Sequence, residues 1–413
     1  MTRRTVTRPA RRILRLHPNV FFLGVVSFLT DVSSEMIFTL VPLFLTNVLG
    51  AATTVVGLVG GISESADALF RIGSGWLSDR LGKRKLLAVL GYGLSTLAKP
   101  FMYPASSWGS VLAVRFTDRL GKGLRSSSRD ALIADSVTAS ERGRGFGLHR
   151  AMDTAGAVLG LVLAAVIIYA VQGGGNQITR GTYHWLVIIG VVPAVLAVII
   201  LQVMVQERRR PGRTGVGRAT SPGSRPSTGS LGLRFKLYLA VLAIFTLGNS
   251  SDFFVILRAQ NVQVPLVQVV AMLVLQNVTY ALVALPMGNL SDRIGRRRVI
   301  VIGWTLYAAV YLGFAAVSAI WQIWLLFAVY GLYYGIVEGA ARAFVADLVP
   351  AGRRGTAYGL YHGVVGLTLL PASVIAGWLW STAGPAAPFY LGAGLAFLAM
   401  LALLVLVREP ARR

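Results

Sequence analysis

Asp31 and Glu35 stand four residues apart in a stretch that is otherwise largely apolar. At that spacing they share one helix face. Two neighbouring carboxylates in a low dielectric resist ionising together, so one tends to keep a proton. A group that takes up and releases a proton inside such a segment is suited to proton coupling. A second cluster comprises Arg115, Asp118, Arg119, Lys122, Arg125 and Arg129, which fall within an arc of roughly 120° at 100° per residue. One face of that helix is cationic, able to grip a carboxylate or phosphate, and it should pair with carboxylates such as Asp31 and Glu35. Glu338 and Arg342 repeat the i,i+4 spacing and read as a buried pair. Asp252 stands alone at the end of FTLGNSSD. His149, Arg150 and Asp153 share a further face, and a histidine can titrate near neutrality. Asn249, Gln276, Asn277, Tyr280 and Tyr333 offer neutral hydrogen bonds to a solute.

The elements that must hold these groups are long and greasy. Apolar side chains make up 55% of the 413 residues and charged ones only 14%, against about 25% charged in soluble domains. Apolar runs of about 20 residues recur along the chain, each long enough to cross a bilayer. Backbone groups in lipid must be satisfied internally, so these runs are helices. Twelve spans are expected, at 20–46, 55–77, 86–104, 108–130, 145–171, 183–206, 235–257, 265–289, 299–317, 320–345, 357–380 and 386–407. An ionisable side chain at the bilayer centre costs about 2.5–3.5 kcal/mol, so those above should face a cavity or a partner.

The net charge of +24 invites a nucleic-acid partner. Its distribution argues against one. Basic residues crowd the short loops after the even-numbered spans up to the tenth, while the opposite loops hold little besides Arg180, with Arg258 near an edge. That asymmetry sets orientation and places both termini in the cytoplasm. Part of the excess suits anionic lipid headgroups. The chain then divides into a basic cytoplasmic tail at 1–19, a six-helix bundle at 20–206, a polar linker at 207–234, a second bundle at 235–407 and a short tail at 408–413. The basic start carries no small-residue cleavage site and reads as a retained tail. Trp304, Trp321, Trp324 and Trp378 read as an interface belt. No cysteine is present, which excludes disulfides and thiolate sites.

The two bundles are internal repeats. GWLSDRLGKRK begins at Gly75 and GNLSDRIGRRR at Gly288, 213 residues later. Asp135 in ALIADSV and Asp347 in AFVADLV are 212 apart, and FGLHR at Phe146 is matched by YGLYH at Tyr358. FLTDVSSE aligns with FTLGNSSD and sets Glu35 opposite Asp252. Several matches at nearly one offset indicate duplication, and such repeats tend to hold a site at their interface near the midplane.

The doubled G-x-L-S-D-R-x-G-[KR]-R-[KR] loop resembles the signature of the major facilitator superfamily, twelve-helix bacterial type. The resemblance covers the whole chain. It implies an all-α membrane protein of two pseudo-symmetric six-helix bundles, acting by alternating access. It also implies a gating role for Gly75, Asp79, Arg80 and Gly82 and for Gly288, Asp292, Arg293 and Gly295. Gly82 and Gly295 would permit a tight turn, and Asp79 and Asp292 would accept hydrogen bonds from a helix N-terminus. Arg119 with Gly123 is similar to the superfamily's R-x-x-x-G element, which is linked to proton transfer. Gly156 and Gly160 partly match its exporter element, but Leu161 stands where that element has proline.

No phosphate-binding loop, zinc motif or catalytic constellation is visible, so neither an ATP-driven pump nor an enzyme is expected, and no cofactor or metal is called for. The expected function is secondary transport of a small solute at the bacterial inner membrane, by a monomer. Proton-coupled efflux of a drug-like molecule or metabolite is one form. An organic-anion permease using the cationic fourth span is the alternative. Asp31, Glu35, Arg115, Arg119, Asp252, Glu338 and Arg342 are the candidate substrate and coupling residues.

Overall fold

A computed structural model describes residues 13, 17–81, 84–138, 141–207, 231–350 and 353–407, with backbone alone at 72, 75–81, 142 and 143. The expected linker and both tails lie almost wholly outside the described residues, as does Gly82.

The chain is a succession of long helices. The N-terminal bundle contains α1 (Pro18–Phe38), continued by α2 (Val41–Leu43) and a π-helical turn over Phe44–Val48; α3 (Thr53–Leu81); α4 (Arg84–Ala98), which tightens into a 3-10 turn; α5 (Trp108–Ser136); α6 (Arg142–Gln172); and α7 (Arg180–Met204). The C-terminal bundle contains α8 (Leu233–Gly248) and α9 (Phe253–Asn261), two pieces of one span; α10 (Leu266–Ile294); α11 (Arg296–Ala316); α12 (Ile320–Leu348); α13 (Arg354–Ala383); and α14 (Ala387–Leu406). These match the twelve expected spans. Among the described residues nine helical stretches are long and apolar enough to cross a membrane. The shortfall falls on α4, which has 15 residues, and on α3 and α5, whose polar side chains turn inward.

Local chemistry sets the ends. Ser107 and Thr179 cap α5 and α7 by accepting the amides of Ser110 and Thr182, which satisfies donors a helix start leaves open. Gly295 turns α10 into α11 at φ +102, a conformation only glycine adopts at little cost. Arg258, which lies near a loop in sequence, is buried. Its guanidinium donates to the carbonyls of Phe314, Ala315 and Val317 at 2.8, 3.0 and 3.2 Å and so closes the C-terminal end of α11. Trp304 is also no interface residue: it is buried and stacks on Phe245 with centroids 4.4 Å apart.

The basic turns are tied to the bundles in the same way twice. Arg84 pairs with Asp135 and donates to the Ala131 carbonyl at 3.2 Å. Arg296 pairs with Asp347 at 2.6 Å and donates to the Ala343 carbonyl at 2.7 Å. In each half the arginine spans one helical turn, from a carboxylate to the carbonyl four residues before it. Asp292, expected to accept hydrogen bonds from a nearby helix N-terminus, pairs at 3.3 Å with the side chain of Arg296, the first residue of α11.

Within the first bundle α1 packs on α6 and α7, and α5 on α3 and α4. The α1–α6 contact is backbone to backbone. A Cβ on Gly156 would lie 2.3 Å from the Phe28 carbonyl oxygen, and one on Gly160 2.6 Å from that of Val32. Between the bundles α3 meets α13 and α6 meets α10. Thr53 and Ser381 bring their hydroxyls to 2.8 Å, and Ser65 donates to the Gly366 carbonyl. Asn176 and Gln263 join the facing loops at 3.1 Å. These contacts occupy the half of the molecule away from the basic turns.

Candidate functional site

Between the bundles lies a cavity of about 490 Å³. Its two walls differ in chemistry. The N-terminal wall carries Asp31, Ser34, Glu35 and Thr39 from α1, Glu64 from α3, and Arg115, Asp118, Arg119, Lys122 and Arg125 from α5. Charges on α5 recur every three or four residues, so one face carries them all. Arg115 and Arg119 are held by Glu64, at 3.9 and 3.1 Å. Asp31 and Glu35, the expected partners, make no ion pair with these two arginines among the described residues. Thr39 donates to Glu35. Asp118 accepts from Ser95. Arg129, the last of the stripe, does not line the cavity but donates to Ser27 at 3.2 Å and pairs with Asp130 at 3.0 Å.

Arg115 is only 1% exposed. Its guanidinium lies 4.9 Å from the Phe38 ring and 5.5 Å from that of Phe253, one from each bundle. Cation–π contacts of this kind partly offset the loss of water. Even so, Arg115 Nε, Arg119 Nε and Arg125 Nη1 are buried donors with no acceptor among the described residues. Behind this wall Lys99, fully buried, donates to Ser33 at 2.7 Å and Ser34 at 3.1 Å.

The C-terminal wall is phenolic. The chain unwinds between α8 and α9, so Asn249, Ser250, Ser251 and Asp252 present backbone and side chains to the cavity. Ser251 N–H donates to Ser373 Oγ at 3.1 Å, which replaces a lost helical bond. Asp252 accepts from Tyr330 at 2.7 Å and Tyr334 at 3.1 Å. Tyr307, Tyr311 and Tyr333 stack behind them. Toward the basic turns Glu338 gathers Tyr280 at 2.6 Å, Arg342 at 2.6 Å and Arg150 at 3.4 Å. Arg150 comes from α6, so this last contact crosses between bundles.

Comparison with known proteins accords with this architecture. A Major Facilitator Superfamily model matches residues 23–263 and 237–413. The chain belongs to the major facilitator superfamily. It is 38% identical over 395 residues to an uncharacterised MFS-type transporter of Methanocaldococcus jannaschii, covering 94% of this chain and 95% of that protein. A shorter match, 28% over 152 residues, links 36% of this chain to 37% of the multidrug resistance protein MdtH of Cronobacter sakazakii. Among solved structures, a POT family transporter in complex with 5-aminolevulinic acid superposes with a TM-score of 0.77 at 12% identity, covering 97% of this chain and 98% of that one. At that identity the likeness concerns the fold.

Within the superfamily fold, six of the seven candidate residues meet at one cavity: Asp31, Glu35, Arg115, Arg119, Asp252 and Glu338. Arg342 stands just behind, paired with Glu338 at 2.6 Å. Gly288, Asp292, Arg293 and Gly295 form the end of α10 and its turn, away from the cavity. Of the first loop copy, Gly75, Asp79 and Arg80 are described by backbone alone, and Gly82 lies outside the described residues. Glu64, Lys99 and the Asp67–Arg71 pair at 2.9 Å complete the polar interior. The rule that marks Asp31 would have marked Glu64 as well, since both are acids inside an apolar span. Lys99 precedes a proline near a span end and reads in sequence as a surface group.

Proposed function

We propose that this membrane-embedded transporter exports a small organic solute in exchange for protons, by rocking its two bundles about the central cavity. The observation that carries the reading is the cavity itself. It lies between the repeats, it is lined by ionisable side chains from both, and bundle contacts close it on the side away from the basic turns. With those turns in the cytoplasm of a bacterial cell, as the charge asymmetry favours, this conformer is sealed outward. Asp31, Glu35 and Asp252 are the proposed proton-linked groups, and the turns at Asp79–Arg80 and Asp292–Arg293 the proposed latches. Likeness to a multidrug resistance protein over about a third of the chain supports export.

A second reading, an organic-anion permease, rests on the buried guanidinium donors of Arg115, Arg119 and Arg125, which have no acceptor among the described residues. A carboxylate or phosphate on the solute would satisfy them.

Proteoliposomes with an imposed pH gradient separate the two. Candidate solutes come from a thermal-shift screen, because ligands stabilise the folded state. Export by proton exchange requires solute movement against proton flow, abolished by Glu35→Gln or Asp31→Asn. The permease reading requires that Arg119→Ala remove binding and that exchange ignore the gradient. Chemical consumption of the solute by the purified protein would defeat both.

A further inference from the structure

The interface of α1 with α6 carries two polar rungs, of which Asp31 alone lines the cavity. His149 Nε2 and Ser27 Oγ are 2.8 Å apart. One turn further along each helix stand Asp153 and Asp31, which the same packing sets facing each other. Gly156 and Gly160 make the approach possible by setting α6 directly on the backbone of Phe28 and Val32. An ionised carboxylate can only accept. Two carboxyl groups facing each other away from water resist ionising together, so one of them keeps a proton.

We infer that Asp31 and Asp153 hold a single proton between them and are the proton-carrying site of the N-terminal bundle. The inference rests on the proton-coupled reading above and names the partner that reading lacked. Asp31 lines the cavity and Asp153 does not, so the pair joins the solute space to a separate polar cluster. Cations face both sides of it. Asp31 is approached by Lys122 and Arg125 from α5 and by Lys99 from the end of α4, with Glu35 one turn away on its own helix. Asp153 is approached by Arg129 from α5 and by Arg150 from α6, with the His149 imidazole one turn before it on its own helix. When the shared proton leaves, these cations balance the second carboxylate. The repeat has no equivalent: alignment puts Gly248 opposite Asp31 and Val365 opposite Asp153. The paired-carboxyl site thus belongs to one bundle.

Infrared pH-difference spectroscopy on the purified full chain in lipid tests this without knowledge of the solute. The wild type should show one protonated-carboxyl stretch that vanishes as pH rises. Labelling aspartate with carbon-13 at the carboxyl should move it to lower wavenumber. Asp31→Asn and Asp153→Asn should each abolish it, because the remaining carboxyl is left among cations, and the double variant should lose nothing more. A band that survives Asp153→Asn, or one that ignores the aspartate label, overturns the assignment, and so does its absence from the wild type. The label needs no variant and so holds if a substitution fails to fold. Should the band behave as expected while solute flux ignores a pH gradient, proton coupling fails and the pair stands. Gradient-driven flux with the band retained in Asp153→Asn removes the pair and keeps the coupling.

Discussion

Glu64 of α3 lies 3.1 Å from the Arg119 guanidinium of α5. The residue after Glu64 is Ser65, which donates to the Gly366 carbonyl of the other bundle. The acid that neutralises the cavity's cationic stripe is thus next to a contact that closes the molecule. Removing one partner of a buried pair strands the other. Glu64 keeps 33% of its side chain exposed, so the loss for Glu64→Gln should be about 1–3 kcal/mol, below the fully buried case. Thermal unfolding in detergent should show this drop. The double variant Glu64→Gln with Arg119→Gln should recover part of it. Strict additivity of the two single effects would show that the pair is not coupled.

The seal between the bundles can be read by cross-linking, because the chain has no native cysteine. Thr53→Cys with Ser381→Cys should form a disulfide under mild oxidation, given hydroxyls 2.8 Å apart. A Cβ on Gly57 would meet the Ser373 carbonyl oxygen at 2.2 Å. Adding Gly57→Val should cost the sealed conformer about 1–3 kcal/mol and cut the cross-linked fraction several-fold. Unchanged cross-linking would mean that the glycine contact does not control closure.

Arg150 supplies the tie between bundles on the other side of the cavity, 3.4 Å from Glu338. Its side chain is 53% exposed, so the pair is worth about 0.5–1 kcal/mol. Arg150→Ala should raise the maleimide labelling rate of Asn277→Cys, a cavity-lining position, by about two- to fivefold from the basic-turn side. A slower rate would show that Arg150 holds that entrance open.

Arg258→Met should be severe although it touches no cavity residue. Three carbonyls at the end of α11 lose their donor, and unsatisfied buried acceptors cost about 1–3 kcal/mol each. Expression and melting temperature should both fall, while Arg180→Met should change neither appreciably. A melting temperature within a degree or so of wild type would show that water replaces the guanidinium.

Much of this architecture is legible in the residues, for physical reasons. Helices of bilayer length follow from apolar runs with no other way to satisfy their backbone. The stripe on α5 follows from helical period alone. The break at 249–252 does not, because FTLGNSSD and FLTDVSSE look alike while the second stays helical through Ser33 and Ser34. What differs is Gly248, whose Cβ position would fall 2.9 Å from the Gly392 carbonyl oxygen of a helix far along the chain. Partners are equally hidden. Period puts Arg115 and Arg119 on a face, but only the packing of α3 against α5 decides that Glu64 meets them instead of Glu35. Trp304 illustrates the same limit, since its position near a span end says nothing of the Phe245 ring that covers it.

The unequal walls of the cavity bear on which molecules would be cargo and which merely guests. Guanidinium groups stand on one side and tyrosine hydroxyls with Asp252 on the other. A passenger long enough to touch both would pull the two lobes together around itself. A compound with an acidic head and nothing for the phenols would lodge in one lobe only. It would occupy the site, compete with the true passenger and never cross.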